Sequence, residues 1–217
     1  MNAIICLSGG MDSAVTLAHA LANNRSCQTV GFFYGSKHNA YENEAAKNIS
    51  KYYCVPFELI NLEPVMKNFS SHLMKNGGEI PEGHYEDKNM ERMVVPARNI
   101  IFTSILAGIA WSNNGQEVWL GIHAGDHAIY PDCRPEFYHC MSAAILAGTG
   151  DRIQLVAPFL ENTKREVVKK GIELGVPFHL TRTCYKNQSM ACGKCGSCRE
   201  RLEAFADNNV KDPIQYE

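Results

Sequence analysis

The chain has 217 residues, enough for one to two domains with a buried core, and its 21 lysines and arginines against 23 aspartates and glutamates leave a formal charge of −2. With 45% hydrophobic and 9% aromatic residues the composition is that of a globular protein, which excludes a disordered, collagen-like or disulfide-stapled chain. A mildly acidic balance offers no bulk attraction to a phosphate backbone or an anionic membrane, so a small-molecule partner is expected, with neither nucleic acid nor membrane.

No basic stretch precedes the apolar run Ala3 to Leu7, so the chain is expected to open on a buried strand and not on a secretion signal. A helix is predicted from about Ser13 to Asn23, with Ala14, Leu17, Ala18 and Leu21 on one face. A strand at Val30 to Tyr34, a helix from about Ala40 to Tyr53 and a strand at Pro56 to Leu62 follow. This alternation predicts an α/β fold: a parallel twisted sheet with right-handed crossovers and helices on both faces. Residues 75–93, with Gly77, Gly78, Pro81 and Gly83, break the rhythm and read as a long mobile loop, either a lid or a disordered segment. Beyond it come a buried helix from Ala97 to Asn113, a strand at Val118 to Ile122, and a loop with His123, Gly125 and Asp126. The apolar stretch around Ile100 to Trp111 falls short of the ~18 residues a membrane span needs. A helix after Pro135, a strand at Ile153 to Val156 and a helix from Thr163 to Leu174 complete the rhythm. Thr163 and Glu166 form a capping box at the start of that last helix. The expected organisation is a nucleotide-binding α/β domain over residues 1–180, with residues 181–217 as a metal-binding tail and short last helix (Arg199 to Ala206) packed on it.

Ser8-Gly9-Gly10-Met11-Asp12-Ser13 sits between an apolar strand and an amphipathic helix, at the carboxyl edge of a parallel sheet where ligands bind. Two glycines let the backbone approach a ligand, and the helix start aims free N–H groups and a positive dipole at it, so an oligophosphate fits. Ser8 and Ser13 can donate hydrogen bonds. Asp12 would repel phosphate unless a cation such as Mg²⁺ stands between them, so magnesium is implied. The bland alternative is an ordinary turn with Asp12 as a helix cap. Neither G-x-x-x-x-G-K-[ST] nor a strand-borne G-x-G-x-x-G is present. The string resembles the S-G-G-x-D-S pyrophosphate loop of the N-type (PP-loop) ATP pyrophosphatases, which implies ATP bound by Leu7, Ser8, Gly9, Gly10, Met11, Asp12 and Ser13 and cleaved between its α and β phosphates.

Of nine cysteines, four cluster as Cys184-x7-Cys192-x2-Cys195-x2-Cys198. An odd total without a secretion signal points to a reducing, cytoplasmic compartment, where clustered thiols are metal ligands more often than disulfides. Four thiolates make a closed tetrahedral site for one structural Zn²⁺. The spacing fits the ferredoxin pattern poorly, because Cys198 is followed by Arg199 and not by proline.

His38, in Tyr34-Gly35-Ser36-Lys37-His38, would lie at the sheet edge near the phosphates, or else be a surface histidine. Arg98, in the first turn of a buried helix, is placed to meet a phosphate or a substrate carboxylate, with a structural salt bridge as the alternative. Lys164, beside the Thr163 cap, can reach a phosphate from its helix start, or else be a solvated lysine. In Tyr130-Pro131-Asp132-Cys133-Arg134-Pro135, Asp132 suits an acceptor for the N–H donors of a guanine-like ring, unless it merely pairs with Arg134.

These strings, with C-G-K-C-G-S-C-R at 192–199, come in the order found in the 7-cyano-7-deazaguanine synthase (QueC) family, which the chain resembles over nearly its whole length. Ser36 stands where that family usually has glutamine, His123 where it usually has asparagine, and 75–93 matches nothing. The resemblance implies an ATP-dependent ligase that joins ammonia to 7-carboxy-7-deazaguanine and yields the nitrile through an adenylated acid and an amide. It further implies catalytic Asp12, Lys164 and Arg98, substrate contacts from Arg98, Asp132 and Arg134, and a homodimer among the assemblies it allows. A PP-loop tRNA thiolation enzyme, or a family offshoot serving as a zinc-stabilised partner in a larger system, is the rival reading.

Overall fold

The structure is a computed structural model that describes residues 2–84, 88–126 and 128–217. Five strands, β1 (Asn2–Cys6), β2 (Ser26–Phe33), β3 (Phe57–Asn61), β4 (Glu117–Trp119) and β5 (Gln154–Val156), form one sheet in the order β3-β2-β1-β4-β5. Every neighbouring pair is parallel; in the register Ile5 stands between Thr29 and Trp119. Side chains alternate across a strand, and the middle of β1 shows the consequence. Ile4 faces a core with Phe102 and Leu106, whereas Ile5 faces another with Val15, Leu17, Val167 and Phe205.

Helices α1 (Met11–Ala22), α2 (Asn39–Tyr52), α6 (Lys164–Glu173) and α7 (Gly196–Asp207) supply the second core, while α4 (Arg98–Ser112) and α5 (Pro135–Gly148) cover the opposite face. A single turn, α3 (Glu63–Met66), buries Met66 under the first core. The α/β sandwich with helices on both faces is therefore the observed architecture. Among the described residues no helix is long and apolar enough to cross a membrane.

Three boundaries differ from the sequence expectation for physical reasons. Helix α1 begins at Met11 because Gly10, extended at ψ 168°, is its cap. Strand β4 stops at Trp119, since Gly121 turns onto the start of α1: a Cβ there would lie 2.9 Å from the backbone of Asp12 and Ser13. Helix α7 starts at Gly196, earlier than expected, with Cys198 in its first turn.

The 75–93 stretch is the clear correction, although its residues 85–87 lie outside the described set. Both ends are tied down. Lys37 Nζ donates to the carbonyls of His72 (2.8 Å), Gly77 (3.0 Å) and Gly78, and Glu82 pairs with Cys195 in an antiparallel bridge. Residues 88–93 form a 3-10 helix that buries Met90 and Met93 in the first core. Two methionines in an otherwise polar run supply the anchor that composition alone did not suggest.

Candidate functional site

The first connection leaves β1 toward β2 and the return path enters β4 on the other side of β1, so the two loops diverge and open a crevice at the carboxyl edge. An open cleft lies there. It is lined by Leu7, Ser8, Gly10, Met11, Asp12 and Ser13 from the loop, and by His38, Arg98 and Lys164 from elsewhere.

The loop is rigid. Ser8 and Ser13 hydroxyls lie 3.1 Å apart, Gly10 N–H donates to Ser8 Oγ at 3.2 Å, and Ser13 Oγ donates to the Gly10 carbonyl at 3.1 Å. No side chain caps α1, so its first N–H groups remain for a ligand. The two glycines do different work. Gly10 has an ordinary φ and borders the cleft. Gly9, at φ +92°, does not; it lies against α2, where a Cβ would come 2.2 Å from the Glu42 carbonyl oxygen.

Behind the loop is a compact charge cluster. Lys164 Nζ donates to both Asp12 oxygens, at 2.8 and 2.7 Å, and lies 3.3 Å from Glu200 Oε2. His123, fully buried, accepts from Gly125 N–H at its Nδ1 (3.0 Å). Its Nε2 is 3.0 Å from Lys164 Nζ, 3.5 Å from Asp126 Oδ2 and 3.7 Å from Asp12 Oδ1. Burial works against the Lys164 charge, yet Asp12, Glu200 and Asp126 together raise its pKa, so it stays an ammonium. Burial also opposes the Asp12 carboxylate, but Lys164 and His123 outweigh it and hold the carboxyl below its usual value. Desolvation instead pushes the Glu200 carboxyl up. The positive partner that the sequence reading assigned to magnesium is here Lys164, brought 152 residues along the chain.

The opposite wall is aromatic and carries Arg98. Its guanidinium is 5.7 Å from the centre of the Tyr130 ring, and the Tyr130 and Tyr185 hydroxyls are 3.4 Å apart. Desolvation is overcome by Tyr34, Asp132, Tyr130 and Cys133, so Arg98 is permanently charged. Asp132 is placed differently from the expectation: its Oδ2 accepts the Asn99 N–H at 2.8 Å and its carbonyl accepts from Asn99 Nδ2 at 2.9 Å, capping α4. Neither Asp132 nor the exposed Arg134 borders the cleft. Each of the other expected residues reaches it apart from Gly9 and the four cysteines.

Cys184, Cys192, Cys195 and Cys198 are all buried, and their sulfurs lie within 4.8 Å of one another. Backbone N–H groups of Cys192, Lys194 and Cys195 point at Cys184 or Cys192 Sγ, at 3.4, 3.4 and 3.3 Å. Hydrogen bonds from Cys195 and Cys198 hold Cys184 down as a thiolate, while the bond to Cys184 pushes Cys195 up to about 12. Four sulfurs so crowded can all ionise only around a cation, and this group can hold a metal ion. Its flanks build the cleft: Tyr185, Ser197 and Glu200 line it, and Arg182 N–H donates to the Gly9 carbonyl at 2.8 Å.

Sequence reasoning missed Glu200, Gly121 and Glu42. Glu200 stands two residues after the last cysteine, and Gly121 is an isolated glycine at a strand end; either signal was available. Glu42 looks like any polar residue of an amphipathic helix.

The parallel sheet in this order, with a glycine loop opening α1, is an α/β fold of the PP-loop ATPase type. U34-tRNA thiolase NcsA from Methanococcus maripaludis, described with its [4Fe-4S] cluster, shares the fold at a TM-score of 0.53 and 16% identity, over 96% of this chain and 66% of the thiolase. NMN synthetase from Francisella tularensis does so at 0.52 and 15%, over 97% and 77%. At residues 2–209 the chain matches the model of the queuosine biosynthesis protein QueC, and it belongs to that family. A 7-cyano-7-deazaguanine synthase of Caldicellulosiruptor saccharolyticus is 42% identical over all of this chain and 96% of its own length. One of Desulfotalea psychrophila is 43% identical, over all of this chain and 99% of its own. The chain is accordingly an enzyme of queuosine biosynthesis.

Proposed function

We propose that the chain is an ATP-dependent carbon–nitrogen ligase that converts 7-carboxy-7-deazaguanine and ammonia into 7-cyano-7-deazaguanine. The observation that carries this reading is the sharing of one cleft by an uncapped helix start, a half-buried Lys164 and a half-buried Arg98. A carboxylate is a poor electrophile, and its oxygen leaves only once it has become part of a phosphate ester. Residues Leu7 to Ser13 and Lys164 hold the phosphates and neutralise their charge, with Mg²⁺ accompanying ATP. Arg98 holds the acid so that its oxygen attacks the α-phosphorus and pyrophosphate departs. Ammonia then forms the C–N bond while the C–O bond breaks, its electron pair leaving on the phosphate oxygen, which also takes the surplus proton. A second activation, at the amide oxygen, lets the nitrogen lose its protons and the nitrile form. Asp12 orients Lys164. No nucleophilic cysteine enters the scheme.

The cysteine group suits one Zn²⁺. Around an ion with Zn–S of about 2.3 Å, tetrahedral sulfurs stand about 3.8 Å apart, close to the 4.0 Å between Cys192 and Cys198. A cube of four irons and four sulfides would hold thiolates farther apart than this group does. The zinc is structural: it folds residues 182–198 and so sets Tyr185, Ser197 and Glu200 on the cleft wall.

The test is incubation of purified protein with ATP, magnesium, ammonium and 7-carboxy-7-deazaguanine, followed by mass spectrometry. Amide and then nitrile are expected; ATP left intact with neither product formed overturns the reading.

A further inference from the structure

Of the carboxylates on the cleft wall, Asp12 and Glu200 take Lys164, and Asp126 faces His123 at 3.5 Å beside that same lysine. Glu42 stands with His38 at 3.3 Å and, among the described residues, no lysine or arginine within 4 Å. Its position is firmly set. The turn after β2 is clamped by buried Asn39, whose Oδ1 accepts the N–H groups of Tyr34, Gly35 and Ser36 at 2.7, 3.0 and 3.3 Å. His38 caps α2 and Glu42 follows one turn later, its carbonyl pressed against Gly9 of the phosphate loop.

His38 Nε2 lies 3.3 Å from Glu42 Oε2, and the imidazole packs 5.2 Å from the Tyr185 ring. The other nitrogen, Nδ1, is buried without a partner. A proton there would be an unsatisfied buried donor, so the ring donates a hydrogen bond from Nε2 to Glu42. This leaves Oε1 of Glu42 for a ligand. The uncapped start of α1 and the Arg98 guanidinium favour anions in the same cleft. A lone carboxylate beside the phosphate loop repels both a triphosphate and an acid; the species it attracts is a cation. The aromatic rings of Tyr34 and Tyr185, which line the same stretch, favour a cation too.

The geometry points to Glu42 as the ammonium-binding group of this enzyme, with His38 as the residue that positions its carboxylate. The inference rests on the proposed function, in which ammonia is the nitrogen donor. Capture beside the loop concentrates ammonium next to the carbon that the nucleotide activates, the Glu42 carboxylate takes one of its protons to leave ammonia as the nucleophile, and water reaches that carbon less often while the site is filled.

Two measurements test it. In steady-state kinetics with ammonium varied, Glu42→Gln is expected to raise the KM for ammonium by about 10- to 100-fold, the worth of a hydrogen bond to a charged group. KM for ATP and for the acid should stay put, and ATP consumption should exceed amide formed, because water intercepts the activated acid. Glu42→Asp should restore part of the ammonium affinity. A rise in KM for the acid alone would mean that Glu42 reads the ring's N–H donors, and overturns the proposal. In crystals soaked with thallium(I), an ammonium-sized ion, an anomalous peak is expected beside Glu42 in the wild type and not in Glu42→Gln; its absence from the wild type also overturns it. A wild-type chain with the peak but no amide would sink the ligase reading and leave the cation site standing.

Discussion

Replacing Gly9 with alanine separates two demands that the glycine pair of the loop makes. The new Cβ would sit 2.2 Å from the Glu42 carbonyl oxygen and 2.8 Å from the Ala46 nitrogen, on a backbone at φ +92°. Adopting that φ costs an L-residue about 1–2 kcal/mol, and overpacking against a helix backbone costs about 1–3 kcal/mol more. The sum, ~2–5 kcal/mol, lowers the melting temperature of a domain this size by about 4–20 °C. The clash is relieved when the loop and α2 part by about 1 Å, a displacement that costs about 100-fold in rate at a reacting centre. Gly10→Ala is the comparison: its Cβ meets Ser8 Oγ at 3.3 Å with φ in the ordinary range, so it should cost about 1 kcal/mol or less, the loss of a glycine helix cap. Calorimetry and ATP kinetics on both variants, with the acid and ammonium present, give the numbers. A Gly9→Ala protein that melts and turns over like the wild type, or a Gly10→Ala protein that melts as low as Gly9→Ala, refutes the reasoning.

Asp12→Ala and Lys164→Met should each lower kcat/KM for ATP by about 100-fold or more while the fold persists, and the double variant should be little worse than either alone, because the two act as one unit; full turnover in Asp12→Ala would remove the phosphate site from this loop. Asp12, held below its unfolded value of 3.8, stabilises the fold fully above that pH and loses its contribution as pH falls through the lower folded value. Acid unfolding of Asp12→Asn should therefore be less steep below pH ~4 than that of the wild type. Cys195→Ser should lose bound metal, read by plasma mass spectrometry, together with soluble protein; a soluble, metal-free variant would show that the tail folds unaided. Asp132→Ala should cost about 1 kcal/mol, the loss of a helix cap, with the KM for the acid unchanged; a raised KM would put Asp132 on the substrate after all.

Much of the site was legible because its chemistry is local. Ser8 to Ser13 carry a phosphate loop within six residues, and the cysteines lie close enough in sequence to be read as one metal group. Arg98 and Lys164 stood out as charges at the starts of helices. Asp132 was read as a free acceptor because an acidic residue framed by prolines looks free in a sequence; only the start of α4 beside it shows one of its oxygens accepting from Asn99. Residues 75–93 were misread because two buried methionines in a polar run carry no periodicity.

Strand alternation, capping residues and clustered thiols follow from interactions among near neighbours, so the sequence alone determined the α/β class, the parallel sheet, the glycine loop at its edge and the cysteine cluster. Which charges meet was decided by the tertiary structure. Lys164 lies on Asp12 and Glu200, and Arg98 among tyrosines, because the sheet order brings the ends of β1, β2 and β4 together. Glu42 is left with a histidine by the same folding. Coulomb energy depends on distance in space, and distance along a chain does not report it.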